Sequence, residues 1–193
     1  MTIIDNGGFT IDGIPCSTYS VTLAYAPGQP FLPETRDRTV EIPGRAGAYW
    51  FDSDLGVRTF SLPCMFQGCA DSAALDVLIR AFARVFVHVH GKPRQLTLVF
   101  DDAPDLTYVV RYAGQIPFDR AWLGCSEFTL NLVADDPYAY ESEDATSGTI
   151  TTSGGSITVT SSGNVGTPAK ICITNTGASP ISGFTITTNY EVT

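Results

Sequence analysis

The stretch "TVEIPGRAGAYWFDSDLGVRTFSLPCMF", residues 39–66, holds two kinds of extended chain side by side. In its second half Phe60, Leu62, Cys64 and Phe66 occupy alternate positions. Successive side chains of a strand point to opposite faces, so this run reads as a half-buried strand with one wet side. In the first half Thr39, Val40, Glu41 and Ile42 alternate, Pro43-Gly44 makes a turn, and Ala48, Tyr49, Trp50 and Phe51 follow in sequence. The result is an extended hairpin with three large aromatics near one leg. A lone hairpin cannot bury that much apolar area, so this one lies against something else. Four prolines and four glycines between residues 27 and 58 argue against a compact central strand there.

Working outward, "FTIDGIPC" places Asp12-Gly13 between two apolar pieces, the chemistry of a tight hairpin turn. In "YSVTLAY" Val21, Leu23 and Tyr25 share one face. From Asp71 the period changes. Asp71 or Ser72 can cap, and Leu75, Leu78, Ile79, Phe82, Val85 and Phe86 recur at helical spacing, which predicts one amphipathic helix over about residues 72–87. Strands resume as "RQLTLVF" and "LTYVVRYAG", joined by the turn "DDAPD". "SEFTLNLVA" then alternates with Phe128, Leu130 and Leu132 inward and runs into "DDPYAY". Asp135 and Asp136 suit the capping of freed backbone groups, Pro137 ends pairing, and Tyr138 and Tyr140 suit a seam between two units.

After Tyr140 the composition shifts: between Thr146 and Thr167, 17 of 22 residues are Ser, Thr or Gly. Ile150, Ile157 and Val159 around Gly154-Gly155 read as a Thr-rich hairpin, and "AKICIT" and "FTITT" add two alternating runs. Only 53 residues follow Tyr140 (193 − 140), about half a typical sandwich. The expected division is therefore a first domain at 1–138 and a partial β-sandwich at 139–193.

Charge narrows the function. Eleven Lys and Arg against 20 Asp and Glu give a net charge of −9, the opposite of a surface built to neutralise nucleic-acid phosphates or anionic lipid. No sequence-specific nucleic acid partner is expected. The first basic residue is Arg36 and the longest apolar run, near Val85–Val89, is too short to span a bilayer. Neither a signal peptide nor membrane insertion is expected, and synthesis in a cytoplasm is the expectation. The five cysteines include no metal or redox spacing, since four residues separate Cys64 from Cys69.

Candidates for chemistry are few. His88 and His90, if on a strand, would point the same way and share a metal, but no third ligand lies near in sequence. The pairs Asp101/Asp102 and Asp135/Asp136 could serve acid/base or calcium work. Each is followed within two residues by proline where a strand ends, the place where aspartate bonds its own backbone. No phosphate loop or nucleophile elbow occurs. The reading is no enzyme, no cofactor and no metal.

The order of the pieces carries more. The opening "FTIDGI" hairpin, "EIPGRAGAYWFDSDLGVRTFSLPC", the helix "AALDVLIRAFARVF", "LTLVFDDAPD" and "FTLNLVADDPYAY" together resemble the distal tail proteins of siphophages over about residues 5–140. The resemblance implies an N-terminal β-barrel-like sandwich with one helix and a hairpin arm at about 31–58 that reaches the neighbouring subunit. It implies a galectin-like second domain, here partial. It also implies a structural role in the virion tail tip: a hexameric ring that joins the tail tube protein to the baseplate hub or tail fibre protein, meets the tape measure protein, and lets DNA pass. The expected subunit interface is Glu41, Ile42, Pro43, Gly44, Arg45, Tyr49, Trp50 and Phe51, and the expected domain junction is Asp135, Asp136, Pro137, Tyr138 and Tyr140.

Two other classes fit less of the chain. A carbohydrate-binding or adhesin module would place function in the Thr-rich tail, where the only aromatics are Phe184 and Tyr190. A small hydrolase would require Asp101, Asp102, Asp135 or Asp136 for turnover.

Overall fold

A computed structural model describes residues 8–25, 30, 32–122, 125–141, 147–152, 155–159, 163, 165–166 and 170–187. The chain divides into two compact units, Met1–Glu143 and Asp144–Thr193.

The first unit is mainly β with one helix. Its strands are β1 (Phe9–Ile11), β2 (Ile14–Pro15), β3 (Val21–Leu23), β4 (Thr35–Glu41), β5 (Ala48–Leu55), β6 (Arg58–Phe66), β7 (Leu96–Phe100), β8 (Ala103–Tyr112), β9 (Phe118–Trp122) and β10 (Cys125–Ala134), with α1 (Ser72–Val85) between β6 and β7. Eight strands form one antiparallel sheet in the order β2-β1-β7-β8-β10-β6-β3, with β9 also on β10. β8 is the hinge of its curl. It pairs with β7 from Val110 back to Ala103, and with β10 only through Arg111 and Tyr112.

The alternation in β6 and β10 sets the core. Phe60, Leu62, Cys64 and Phe66 are buried, as are Phe128, Leu130 and Leu132 on the paired strand, because Leu130 stands opposite Leu62 and Phe128 opposite Cys64. Cross-strand neighbours on one face pack together. The rings of Phe66 and Phe128 stack with centroids 5.0 Å apart, and Tyr108 of β8 meets Phe60 edge-on at 5.0 Å. α1 lays Leu75 and Phe82 onto this face, with Phe86 just past its end; Phe82 touches Tyr19, Phe66 and Phe128. Its start is fixed by Asp71, whose carboxylate accepts the Ala74 N–H at 2.7 Å. The β1–β2 turn needs two left-handed residues, supplied by Asp12 (φ 50) and Gly13 (φ 75), the pattern of a type I′ hairpin turn.

The first unit departs from the sequence reading in four places. α1 ends at Val85 rather than 87, because the Phe86 N–H closes on the Ala83 carbonyl at 3.2 Å and Val87 leaves to bridge Pro93. Tyr25 does not join Val21 and Leu23 in the core: β3 stops at Leu23 and the ring is exposed. His88 and His90 lie on a turn, not a strand, with Gly91 N–H donating to the His88 carbonyl. β9 was not legible at all.

In the second unit no strand is formed among the described residues. The hairpin expected there retains a turn, the Gly155 N–H donating to Thr152 O at 3.2 Å. Gly148 lies against Ile157 and Gly155 against Ile150, the spacing of two facing legs without a regular ladder. Gly154 and Tyr190 lie outside the described residues.

Candidate functional site

The hairpin of β4 and β5 is a separate two-stranded sheet. Its register explains how it presents side chains. Thr35–Arg38 pair with Leu55–Asp52, but Thr39 pairs with Trp50, so Phe51 is an extra residue in a bulge. Paired residues share a face, and the slip keeps two chemically distinct faces. Arg36, Arg38, Val40, Tyr49, Asp52 and Asp54 fall on one; Asp37, Thr39, Trp50, Ser53 and Leu55 fall on the other. On the first face Arg38 pairs with Asp54, and Asp52 accepts the Ser53 N–H at 2.8 Å. On the second, the Ser53 hydroxyl donates to Asp37.

The large apolar groups of the hairpin are not covered. Trp50 is 64% exposed and Phe51 68%, and Val40, Ile42, Tyr49 and Leu55 are also exposed. At the tip, Gly44 (φ 86) and Gly47 (φ 83) turn the chain, and the Arg45 guanidinium sits 4.2 Å above the Tyr49 ring. Glu41, Ile42, Pro43, Gly44, Arg45, Tyr49, Trp50 and Phe51 are thus gathered at one end of the hairpin, all exposed.

The root is held by residues the sequence reading passed over. The Gly56 N–H donates to the Glu34 carbonyl at 2.6 Å, and a Cβ at Gly56 would lie 3.1 Å from that oxygen. Arg58 donates to the Pro30 carbonyl at 2.7 Å while its guanidinium lies 5.0 Å over Tyr108 and 5.6 Å over Phe60. One cation therefore ties the arm's entry to the barrel's aromatic core. Its signal in the sequence was an arginine leading the buried alternation of β6.

"DDPYAY" turns back onto the first unit. The Asp135 carboxylate accepts two bonds from Arg111, at 2.7 and 2.9 Å, and this guanidinium holds its pKa below the usual carboxylate range. Asp136 accepts from the Tyr138 N–H at 3.2 Å and from the Tyr140 hydroxyl, and this bond raises the phenol pKa. Tyr140 exchanges two backbone hydrogen bonds of 2.8 Å with Thr107 of β8. The paired aspartates are thus occupied by backbone and ion-pair work.

The other candidates do not converge. Asp101 and Asp102 occupy the β7–β8 turn, exposed and remote in sequence from Asp135. The His88 and His90 rings stack 5.1 Å apart. Among the described residues no three His, Cys, Asp or Glu are grouped to hold a metal. Cys16 and Cys64 are buried thiols whose pKa values burial pushes up, which suits inert core residues. No helix is long and apolar enough to cross a membrane among the described residues.

The first unit is thus a curled antiparallel sheet with one helix, carrying a two-stranded arm whose large apolar groups are exposed. The sequence profile of the phage tail protein RIFT-related domain matches residues 14–134, and the chain belongs to that family. In fold it is similar to the Dit (gp 19.1) protein of SPP1, whose structure is described as a paradigm of the hub adsorption apparatus in phages infecting Gram-positive bacteria. That match has a TM-score of 0.59 and 18% identity, covering 70% of this chain and 52% of the other. The chain therefore spans about half the length of that solved chain. No curated protein matches. The resemblance to siphophage distal tail proteins read from the sequence is borne out in family and fold, and the protein is a phage tail component.

Proposed function

We propose that this tail component is a structural ring protein of the tail tip, with no catalytic role. Six copies form a ring that joins the tail tube to the baseplate hub or tail fibre, meets the tape measure protein, and leaves a lumen for DNA. Residues 1–138 supply the ring and 139–193 a partial galectin-like sandwich. The observation that carries the reading is the arm: Tyr49, Trp50 and Phe51 on the strand and Ile42 at the tip are exposed, and the two-stranded sheet pairs with no other strand among the described residues. Burying such a surface on a neighbour is favourable by about 25 cal/mol per Å² of apolar area. Tyr and Trp are also the side chains that most often anchor interfaces. In this reading the arm contacts the next subunit through Glu41–Arg45 and Tyr49–Phe51. The net charge of −9 suits a lumen that does not grip phosphates. Size exclusion with light scattering and negative-stain imaging tests it. Rings from the intact chain, lost when residues 33–56 are deleted, are expected; a monomer at every concentration would overturn the reading.

A further inference from the structure

Charge in this chain is segregated. Residues 77–100 contain Arg80, Arg84, Lys92 and Arg94, both histidines, and no Asp or Glu. That block carries +4 while the remainder carries 7 − 20 = −13, and together they make −9. The fold gathers the block at one end of β7. Arg80 and Arg84 are exposed one turn apart near the end of α1. The chain then turns through His88–Gly91 and returns beside the helix end, with His88 N–H bonded to Lys92 O at 2.8 Å and Arg94 N–H to Phe86 O at 3.1 Å. Asp12 pairs with Arg94. Among the described residues Arg80, Arg84 and Lys92 have no ion pair. Val89, 92% exposed, stands at the tip of the turn.

The other end of β7 has the opposite sign. Asp101, Asp102 and Asp105 are exposed there, and no ion pair engages them among the described residues. Asp101 lies seven residue steps of extended chain beyond Arg94, about 23 Å at roughly 3.3 Å per step. The Debye length at physiological salt is about 8 Å, so the two ends do not neutralise one another within a chain. Each is left to find its complement elsewhere.

We propose that the basic end, Arg80, Arg84 and Lys92 around Val89, docks onto the acidic β7–β8 turn of a second copy. A contact between two different patches of the same chain is head-to-tail, which closes into a ring when the rotation allows. Complementary charge fixes the order and register of such a contact more than its strength. The inference rests on copies of the chain associating. It assigns a second contact, separate from the arm.

The test uses two full-length variants, R80E/R84E/K92E and D101K/D102K/D105K, each checked for an unchanged circular dichroism spectrum and melting curve. Sedimentation velocity at about 0.05 M and about 0.5 M NaCl should show wild-type association weakening about tenfold or more at high salt. Each variant alone should lose association to a similar degree, and an equimolar mixture should regain it, since each reversed patch then meets its complement. Variants that assemble like wild type overturn the proposal, and so does a mixture that fails to recover. A mixed-sequence DNA duplex held by wild type and released by R80E/R84E/K92E reassigns the patch to nucleic acid and overturns it too. Deleting the arm tests the arm alone: recovery in the mixture with no effect of the deletion would sink the arm's role and leave this contact standing.

Discussion

Arg111 and Asp135 meet through two parallel hydrogen bonds, Nε to Oδ2 at 2.7 Å and Nη2 to Oδ1 at 2.9 Å, where β10 runs out and the chain turns back toward β8. The pair decides what "DDPYAY" is for. A carboxylate so engaged is neither a free base nor a vacant metal ligand.

Asp135 should make acid stability depend on this pair. Its pKa is lowered in the folded state, first by the hydrogen bonds from Arg111. The contribution is therefore complete above the unfolded carboxylate pKa, about 3.9, and fades as pH falls through the lower folded value. Both side chains are about half exposed, so the effect is small and screened by salt. Asp135→Asn should leave the melting curve near neutral pH almost unchanged, flatten its decline below about pH 4, and speed amide exchange at Tyr140.

The arm and the barrel should separate under mutation. Trp50→Ser with Phe51→Ser removes exposed groups, so the unfolding free energy from chemical denaturation should change by no more than about 0.5 kcal/mol. Light scattering should nevertheless report loss of the assembled species. A stability loss of several kcal/mol instead would mean that the arm's aromatics pack within their own chain.

Core changes should behave the other way. Phe60 is buried between Phe100 and Tyr108, and Phe60→Ala should cost about 3 to 5 kcal/mol in urea denaturation through lost burial and an unfilled cavity. Asp71→Ala removes the cap on α1 and should cost about 1 kcal/mol.

Arg58 should control the setting of the arm. Arg58→Ala removes the bond to Pro30 and the cation over Tyr108 and Phe60. Limited proteolysis should then cut faster between residues 33 and 56 while the fragment pattern of the barrel stays unchanged. Arg58→Lys should give only partial protection, because an ammonium lacks the planar fork that meets a carbonyl and two rings together.

Much of the fold was legible because it follows from local rules. Alternation in β6 and β10 named Phe60, Leu62, Cys64, Phe66, Phe128, Leu130 and Leu132 as inward. The change of period at Asp71 located α1, and Asp12-Gly13 marked a turn that only residues tolerant of positive φ can make. Exposed apolar character in residues 39–51 could be suspected for the same reason: no periodic face was available to bury it. The ordered motifs carried the family.

Relations between distant residues were decided only by tertiary structure. Asp135 and Arg111 are 24 positions apart, Arg58 and Pro30 are 28, and Asp12 and Thr97 are 85. No local spacing announces such pairs. The bulge at Phe51, the strand Phe118–Trp122 and the gathering of Arg80, Arg84 and Lys92 opposite Asp101, Asp102 and Asp105 likewise depend on how strands pair and curl. A sequence fixes which side of a strand meets the core, because the pleat has a period of two residues. Which charges become neighbours is set by a sheet's order and register, and these belong to the folded chain as a whole.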